Sequence, residues 1–158
     1  MPHPQHQALF LTWRTYGSWL PGDERGWVDA QRNGFGEPMN LPDVRLEGAA
    51  RGQMGSVPLE FNDHQRLAVD LAIREACEFR GWKVVALNVR TNHVHLVVGA
   101  DEQPAKVLNV LKARATTALR AGRMVAEHRP IWSREGSRRV LWDAQALAAA
   151  VEYVLNGQ

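Results

Sequence analysis

The chain has 158 residues, 45% of them hydrophobic and 23% charged, with a formal net charge of +2. That length and balance point to one globular domain spanning residues 1–158, with enough apolar surface for a real core, and exclude a disordered or fibrous chain. No apolar run approaches the ~18 residues of a membrane span, and the MPHPQHQ start lacks a basic-then-apolar signal pattern, so the expectation is a cytoplasmic protein without membrane contact.

Residues 8–15 (ALFLTWRT) read as a first strand, a short apolar run rich in β-branched and aromatic residues. Residues 16–61 follow as a long irregular insertion, with YGSWLPGDERGW, NGFGEP and GAARGQMGS punctuated by Gly and Pro. A segment this long without periodicity inside a compact domain is usually functional or partly disordered. Asn62 is placed to cap a helix over 63–80, for which Leu67, Leu71, Ala72, Ala76 and Phe79 suggest the apolar stripe, and Gly81 ends it. Its single cysteine, Cys77, excludes an internal disulfide and reads as a packing residue of a reducing compartment.

Residues 82–90 (WKVVALNVR) form a second strand, Thr91-Asn92 a tight turn, and residues 93–99 a third strand antiparallel to the second. Pro104 opens a second helix with Val107, Leu108, Leu111, Ala115 and Leu119 on one stripe, and Gly122 closes it. Residues 124–137 read as a basic loop, residues 137–142 as a short fourth strand, and Asp143 as the cap of a last helix over 144–156. The first six elements match the ferredoxin-like βαββαβ pattern, an α+β fold whose antiparallel four-stranded sheet has helices on one face. The extra C-terminal helix is the element available to cover the other face.

The stretch NHVHLVV places two of the chain's six histidines two residues apart in the third strand. Side chains alternate across a strand, so His93, His95 and Val97 share one face while Val94, Leu96 and Val98 belong under the two core helices. Residues i and i+2 lie roughly 7 Å apart at Cα, close enough for two imidazoles to hold one metal ion. Two satisfied histidines would give the same triplet. Phosphoester chemistry by paired H-x-[ST] motifs is disfavoured, because the chain has one H-x-H and no H-x-S or H-x-T. The chain has two tyrosines, Tyr16 beside the insertion and Tyr153 on the last helix. A last helix docked on the histidine face would bring Tyr153 to the imidazoles, although a core aromatic would sit there equally well. A tyrosine hydroxyl in that position can attack a phosphodiester and form a covalent link, while a divalent ion on the histidines polarises the phosphate.

The charge is uneven as well. Lys106, Lys112, Arg114, Arg120, Arg123, Arg129, Arg134, Arg138 and Arg139 crowd the second half, where acids are sparse. This fits a polyanionic partner, and it fits a solvated helix face equally.

A histidine–hydrophobe–histidine triplet on the third strand of a ferredoxin-like pattern, a tyrosine on a later helix and an arginine-rich second half together resemble the HUH nucleases. The closer resemblance is to their single-tyrosine transposases, the IS200-like and REP-associated branch. NHVHLVV matches that family's signature, the spacing to YVLNGQ fits, and the likeness covers about residues 8–14 and 62–158. It implies a metal-dependent transposase that cleaves and rejoins single-stranded DNA near a hairpin. Tyr153 would be the nucleophile of a 5′-phosphotyrosine intermediate, and His93 and His95 would be ligands of Mg²⁺ or Mn²⁺. Family members supply a third, amide-type ligand four residues after the tyrosine, where this chain has Gly157. The neighbours Asn156 and Gln158 remain the candidates. Asn156 stays about 60° from the tyrosine's face and Gln158 about 140°, so Gln158 requires the helix to open at Gly157.

For phosphate contacts the candidates are Arg14, Arg90, Lys112, Arg120, Arg138 and Arg139. Trp13, Trp19 and Trp27 could stack on unpaired bases, though core packing is the ordinary role of a tryptophan and the one expected of Trp82. The resemblance leaves open a monomer or a homodimer that exchanges the tyrosine helix. The rival from another class is a non-catalytic nucleic-acid-binding module on the same scaffold. Such a module needs neither metal nor tyrosine, and its sheet-face aromatic signature is absent from the third strand.

Overall fold

A computed structural model of the chain describes residues 8–18 and 57–157. The 16–61 insertion is therefore seen only at its two ends. Trp19 and Trp27 lie outside the described residues, as does Gln158.

The elements run β1 (Ala8–Thr15), α1 (Asp63–Arg80), β2 (Lys83–Val89), β3 (His93–Gly99), α2 (Pro104–Ala121), β4 (Trp132–Leu141) and α3 (Ala144–Asn156). The strands form one sheet in the order β2-β3-β1-β4, with every neighbouring pair antiparallel. This is the ferredoxin-like arrangement expected from the order of elements.

Local chemistry sets the helix ends. Asn62 Oδ1 accepts from the Gln65 N–H at 2.8 Å and Gln65 Oε1 from the Asn62 N–H at 2.8 Å, so two first-turn donors are satisfied reciprocally. Gly81 takes a left-handed φ of 72°, which a side chain would make costly, and ends α1. The stripe of α1 is a correction. Leu67, Leu71 and Phe79 are exposed, and Val69, Ala72, Ile73, Ala76 and Cys77 face the core. At ~100° per residue Leu67 and Leu71 lie nearly opposite Val69. The helix thus carries two apolar sets, and docking on the sheet selects the β-branched one. The α2 stripe is as expected, with Val107, Leu108, Leu111, Ala115 and Leu119 all buried.

Two apolar layers flank the sheet. Leu9, Leu11, Trp13, Leu87, Val94, Leu96 and Val98 pack with α1 and α2. On the opposite face Ala8, Phe10, Ala86, Val97 and Leu141 pack with Ala150 and Val154 of α3. Trp13 is fully buried, so it serves the core and is unavailable for base stacking. Trp82 packs against the same core, as expected.

The fourth strand is a second correction, because β4 starts at Trp132, inside the expected loop. The Trp132 indole N–H reaches Lys112 O at 3.1 Å and Thr116 Oγ1 at 3.0 Å, and its ring meets Trp13 and Phe61 edge-on. Gly136 lies in the stretch expected to be a loop. Instead it lets α2 approach the strand, since a Cβ there would lie 2.8 Å from Leu108 Cδ2. The end of the insertion belongs to the core too. Leu59 and Phe61 are buried, and their N–H groups donate to Tyr16 O at 2.9 Å and Thr91 O at 2.6 Å. Among the described residues no helix is long and apolar enough to cross a membrane.

Candidate active site

β3 carries both histidines onto the face covered by α3. His95 is buried, with 4% of its surface exposed, and His93 is half-buried. Their ring centroids are 4.7 Å apart. In register, His95 stands opposite Thr12 on β1 and Asn88 on β2, and His93 stands opposite Arg14. His95 Nδ1 lies 2.8 Å from Thr12 Oγ1. His93 Nδ1 lies 2.7 Å from Asn92 Oδ1.

Tyr153 arrives on α3. Asp143 caps that helix, its Oδ1 accepting from the Ala146 N–H at 2.7 Å. Ala150 and Val154 seat it on Phe10, Val97 and Ala86, and Asn88 Nδ2 donates to Val154 O at 3.0 Å, which ties the last turn to β2. The Tyr153 ring is then 5.4 Å from His95 and 6.0 Å from Phe10. It is 40% exposed, so it lies at the edge of this face rather than as a sealed core aromatic.

Among the described residues the expected third ligand is not assembled. Gly157 closes α3 by donating its N–H to Tyr153 O at 3.0 Å, and a Cβ there would lie 2.9 Å from Tyr153 Cδ2. Asn156 is exposed, and its Nδ2 donates to Glu152 Oε2 at 3.1 Å. Among the described residues no group of three His, Cys, Asp or Glu side chains could hold a metal. Among the described residues the donor set is two imidazoles, each with Nδ1 engaged by an oxygen-bearing side chain, and this suits a divalent ion that takes further oxygen ligands.

The six basic candidates divide by strand face. Phe10 and Thr12 share the histidine face, so alternation puts Arg14 there, and Arg139, paired with Phe10, as well. Arg90 donates its N–H to His93 O at 2.8 Å and extends that face at the hairpin. Arg138 pairs with Leu11 on the opposite face. Lys112 and Arg120 lie on α2 beyond the sheet, their side chains donating to Ser133 O at 3.3 Å and Arg129 O at 3.4 Å. Thr12, Asn88 and Asn92 were not singled out from sequence. The available signals were the period-two pattern Phe10-Thr12-Arg14, which puts a hydroxyl on the histidine face, and the asparagine immediately before His93.

On one face of the ferredoxin-like sheet, a strand with two histidines thus faces a helix-borne tyrosine. The family model described as "Transposase IS200 like" matches residues 60–152, more than half of the chain, and the chain belongs to that family. The match ends one residue before Tyr153. A REP-associated tyrosine transposase solved bound to a REP hairpin is similar in structure, with 13% identity and a TM-score of 0.53 over 98% of this chain and 67% of that chain. A candidate transposase from Deinococcus radiodurans R1 is similar as well, with 15% identity and a TM-score of 0.50 over 99% of this chain and 94% of that chain. At such identities the likeness is one of fold. No curated protein matches the chain.

Proposed function

We propose that this IS200-like family member cleaves and rejoins single-stranded, hairpin-forming DNA through a 5′-phosphotyrosine intermediate at Tyr153. The observation that carries the reading is the Tyr153 ring 5.4 Å from His95, on the same sheet face and within one chain. In the cleavage step Tyr153 Oη gives up its proton and attacks the scissile phosphorus. The Oη–P bond forms as the P–O3′ bond breaks, and the 3′ oxygen leaves as a hydroxyl after taking a proton. A 3′ hydroxyl attacking the phosphotyrosine reverses the step and rejoins the strand.

His93 and His95 would hold Mg²⁺ or Mn²⁺, together with Asn156 released from Glu152, or Gln158. When bound, the ion polarises the scissile phosphate and stabilises charge on the leaving 3′ oxygen. Arg14, Arg90 and Arg139 line the histidine face and would position the phosphates on either side of the cut. Lys112, Arg120 and Arg138 would contact DNA that passes beyond the sheet. Because α3 lies on its own sheet, one chain supplies both histidines and the tyrosine. A monomer therefore suffices, and a homodimer that exchanges α3 would supply the same three side chains from two chains. The cytoplasm is the compartment where such a substrate is met.

The test is incubation with single-stranded hairpin oligonucleotides from the DNA flanking the gene, in Mg²⁺ or Mn²⁺, followed by a denaturing gel. A protein–DNA adduct in the wild type, lost in Tyr153→Phe and in His95→Ala, is the expected outcome. Tight binding without an adduct in either metal would replace this reading with a non-catalytic nucleic-acid-binding module.

A further inference from the structure

His93 and His95 are each held through Nδ1 by a side chain that plays no part in the chemistry above. Asn92 Oδ1 can only accept, so its 2.7 Å contact places a proton on His93 Nδ1 and the ring's lone pair on Nε2. Asn92 is itself anchored. Its carbonyl accepts from the Thr15 N–H at 2.9 Å and lies 3.2 Å from Thr15 Oγ1. Thr15 is fully buried and also donates to Leu59 O at 2.6 Å. The hairpin turn that carries Asn92 is therefore locked to the end of β1.

Thr12 stands directly opposite His95 in the β1–β3 register, with Oγ1 2.8 Å from Nδ1. A hydroxyl can donate or accept, so this contact alone leaves the tautomer open. An ε-bound ion requires Nδ1–H, and the hydroxyl accommodates it. Free imidazole has no such constraint and exchanges its proton between the two nitrogens. The ring planes of the two histidines are set 76° apart, and each Nδ1 meets its own partner.

We propose that Asn92 and Thr12 are positioning residues that hold His93 and His95 as Nδ1–H tautomers, so that both present Nε2 as the metal-binding nitrogen. The inference rests on the metal-site reading above for His95, whose tautomer the Thr12 contact leaves open, and not for His93, whose proton the Asn92 contact places. The tautomers themselves are properties of the metal-free chain.

The experiment is a long-range ¹H–¹⁵N correlation spectrum of the metal-free full chain, at a pH about two units above the ordinary imidazole pKa. The expected result is both rings in the Nδ1–H form. Thr12→Val should return His95 toward the Nε2–H form and leave His93 unchanged, while Thr12→Ser keeps the wild-type spectrum. Asn92→Ala should do the same to His93 alone. The affinity for Mn²⁺, read from the free-ion electron paramagnetic resonance signal, should fall about 10- to 100-fold in Thr12→Val and recover in Thr12→Ser. The proposal is overturned if either ring of the wild type is Nε2–H, or if Thr12→Val changes neither the His95 tautomer nor Mn²⁺ affinity. Folding of each variant is checked in the same spectrum, and Thr12→Ala, which also removes the hydroxyl, carries the comparison if Thr12→Val does not fold. The expected tautomers without any DNA adduct would uphold the positioning roles and reject the nuclease reading.

Discussion

Single side chains at this site owe their meaning to which way they point. Arg138 and Arg139 are adjacent on β4, yet one pairs with Leu11 and the other with Phe10, so they face opposite sides of the sheet. Arg139→Ala should weaken binding of a single-stranded oligonucleotide and reduce the salt slope of its affinity by about 1. Arg138→Ala should change the slope less, and titrations at several salt concentrations compare the two directly. Equal slopes would mean that DNA crosses both faces. Cys77 is a residue-scale feature of another kind. Burial pushes its thiol up to about 11, with Arg74 opposing weakly. The thiol should resist a disulfide reagent at neutral pH in the native protein and react promptly in denaturant. Its linkage has a definite sign. The folded state binds the proton more tightly, so this contribution to stability is intact below the ordinary thiol pKa and declines between about pH 9 and 11. Alkaline unfolding of Cys77→Ala should lack that decline.

Among the elements, the ends of helices and the buried face of α2 were legible, and the buried face of α1 was not. Asn62, Gly81, Pro104, Gly122 and Asp143 act within a turn of themselves, so their roles follow from local backbone chemistry. The face of α1 depends on what lies beneath it. Leu67 and Leu71 look as apolar as Val69 and Ile73, and only the sheet decides between them. Ile73→Ala should therefore cost about 2–5 kcal/mol of stability, while Leu71→Ala should stay within about 0.5 kcal/mol. Urea unfolding of both variants measures this, and a comparable loss in each would show that Leu71 is covered in solution. The early start of β4 escaped for a related reason. Gly136 breaks a strand pattern when read alone, and its use as a point of close approach appears only once Leu108 is across from it.

For the whole molecule, the decisive event is the docking of α3 across the second face of the sheet. It brings Tyr153 to a histidine pair that lies 58 residues or more earlier in the chain, His95 being the nearer (153 − 95). The proposed ligands, two imidazoles and an amide, carry no charge. A hard divalent ion would then bind weakly until a DNA phosphate completes its coordination. Isothermal titration should show a higher Mg²⁺ affinity with a hairpin oligonucleotide present than without it. Equal affinities would point to a third protein ligand already in place.

The sequence alone determined the order of elements, the ferredoxin-like class, the alternation that puts His93 and His95 on one face, and the tyrosine on a following helix. All of these rest on periodicities and caps that act over a few residues. The tertiary structure decided which face of α1 is buried, that Trp13 belongs to the core, and that Arg14 and Arg139 rather than Arg138 share the histidine face. It also decided that Thr12 and Asn92 hold the imidazoles, and that Asn156 turns to Glu152 when Gly157 ends the helix. Those outcomes depend on cross-strand register and on the packing of one element against another. Contacts between residues far apart in the chain are set by packing that no local pattern encodes.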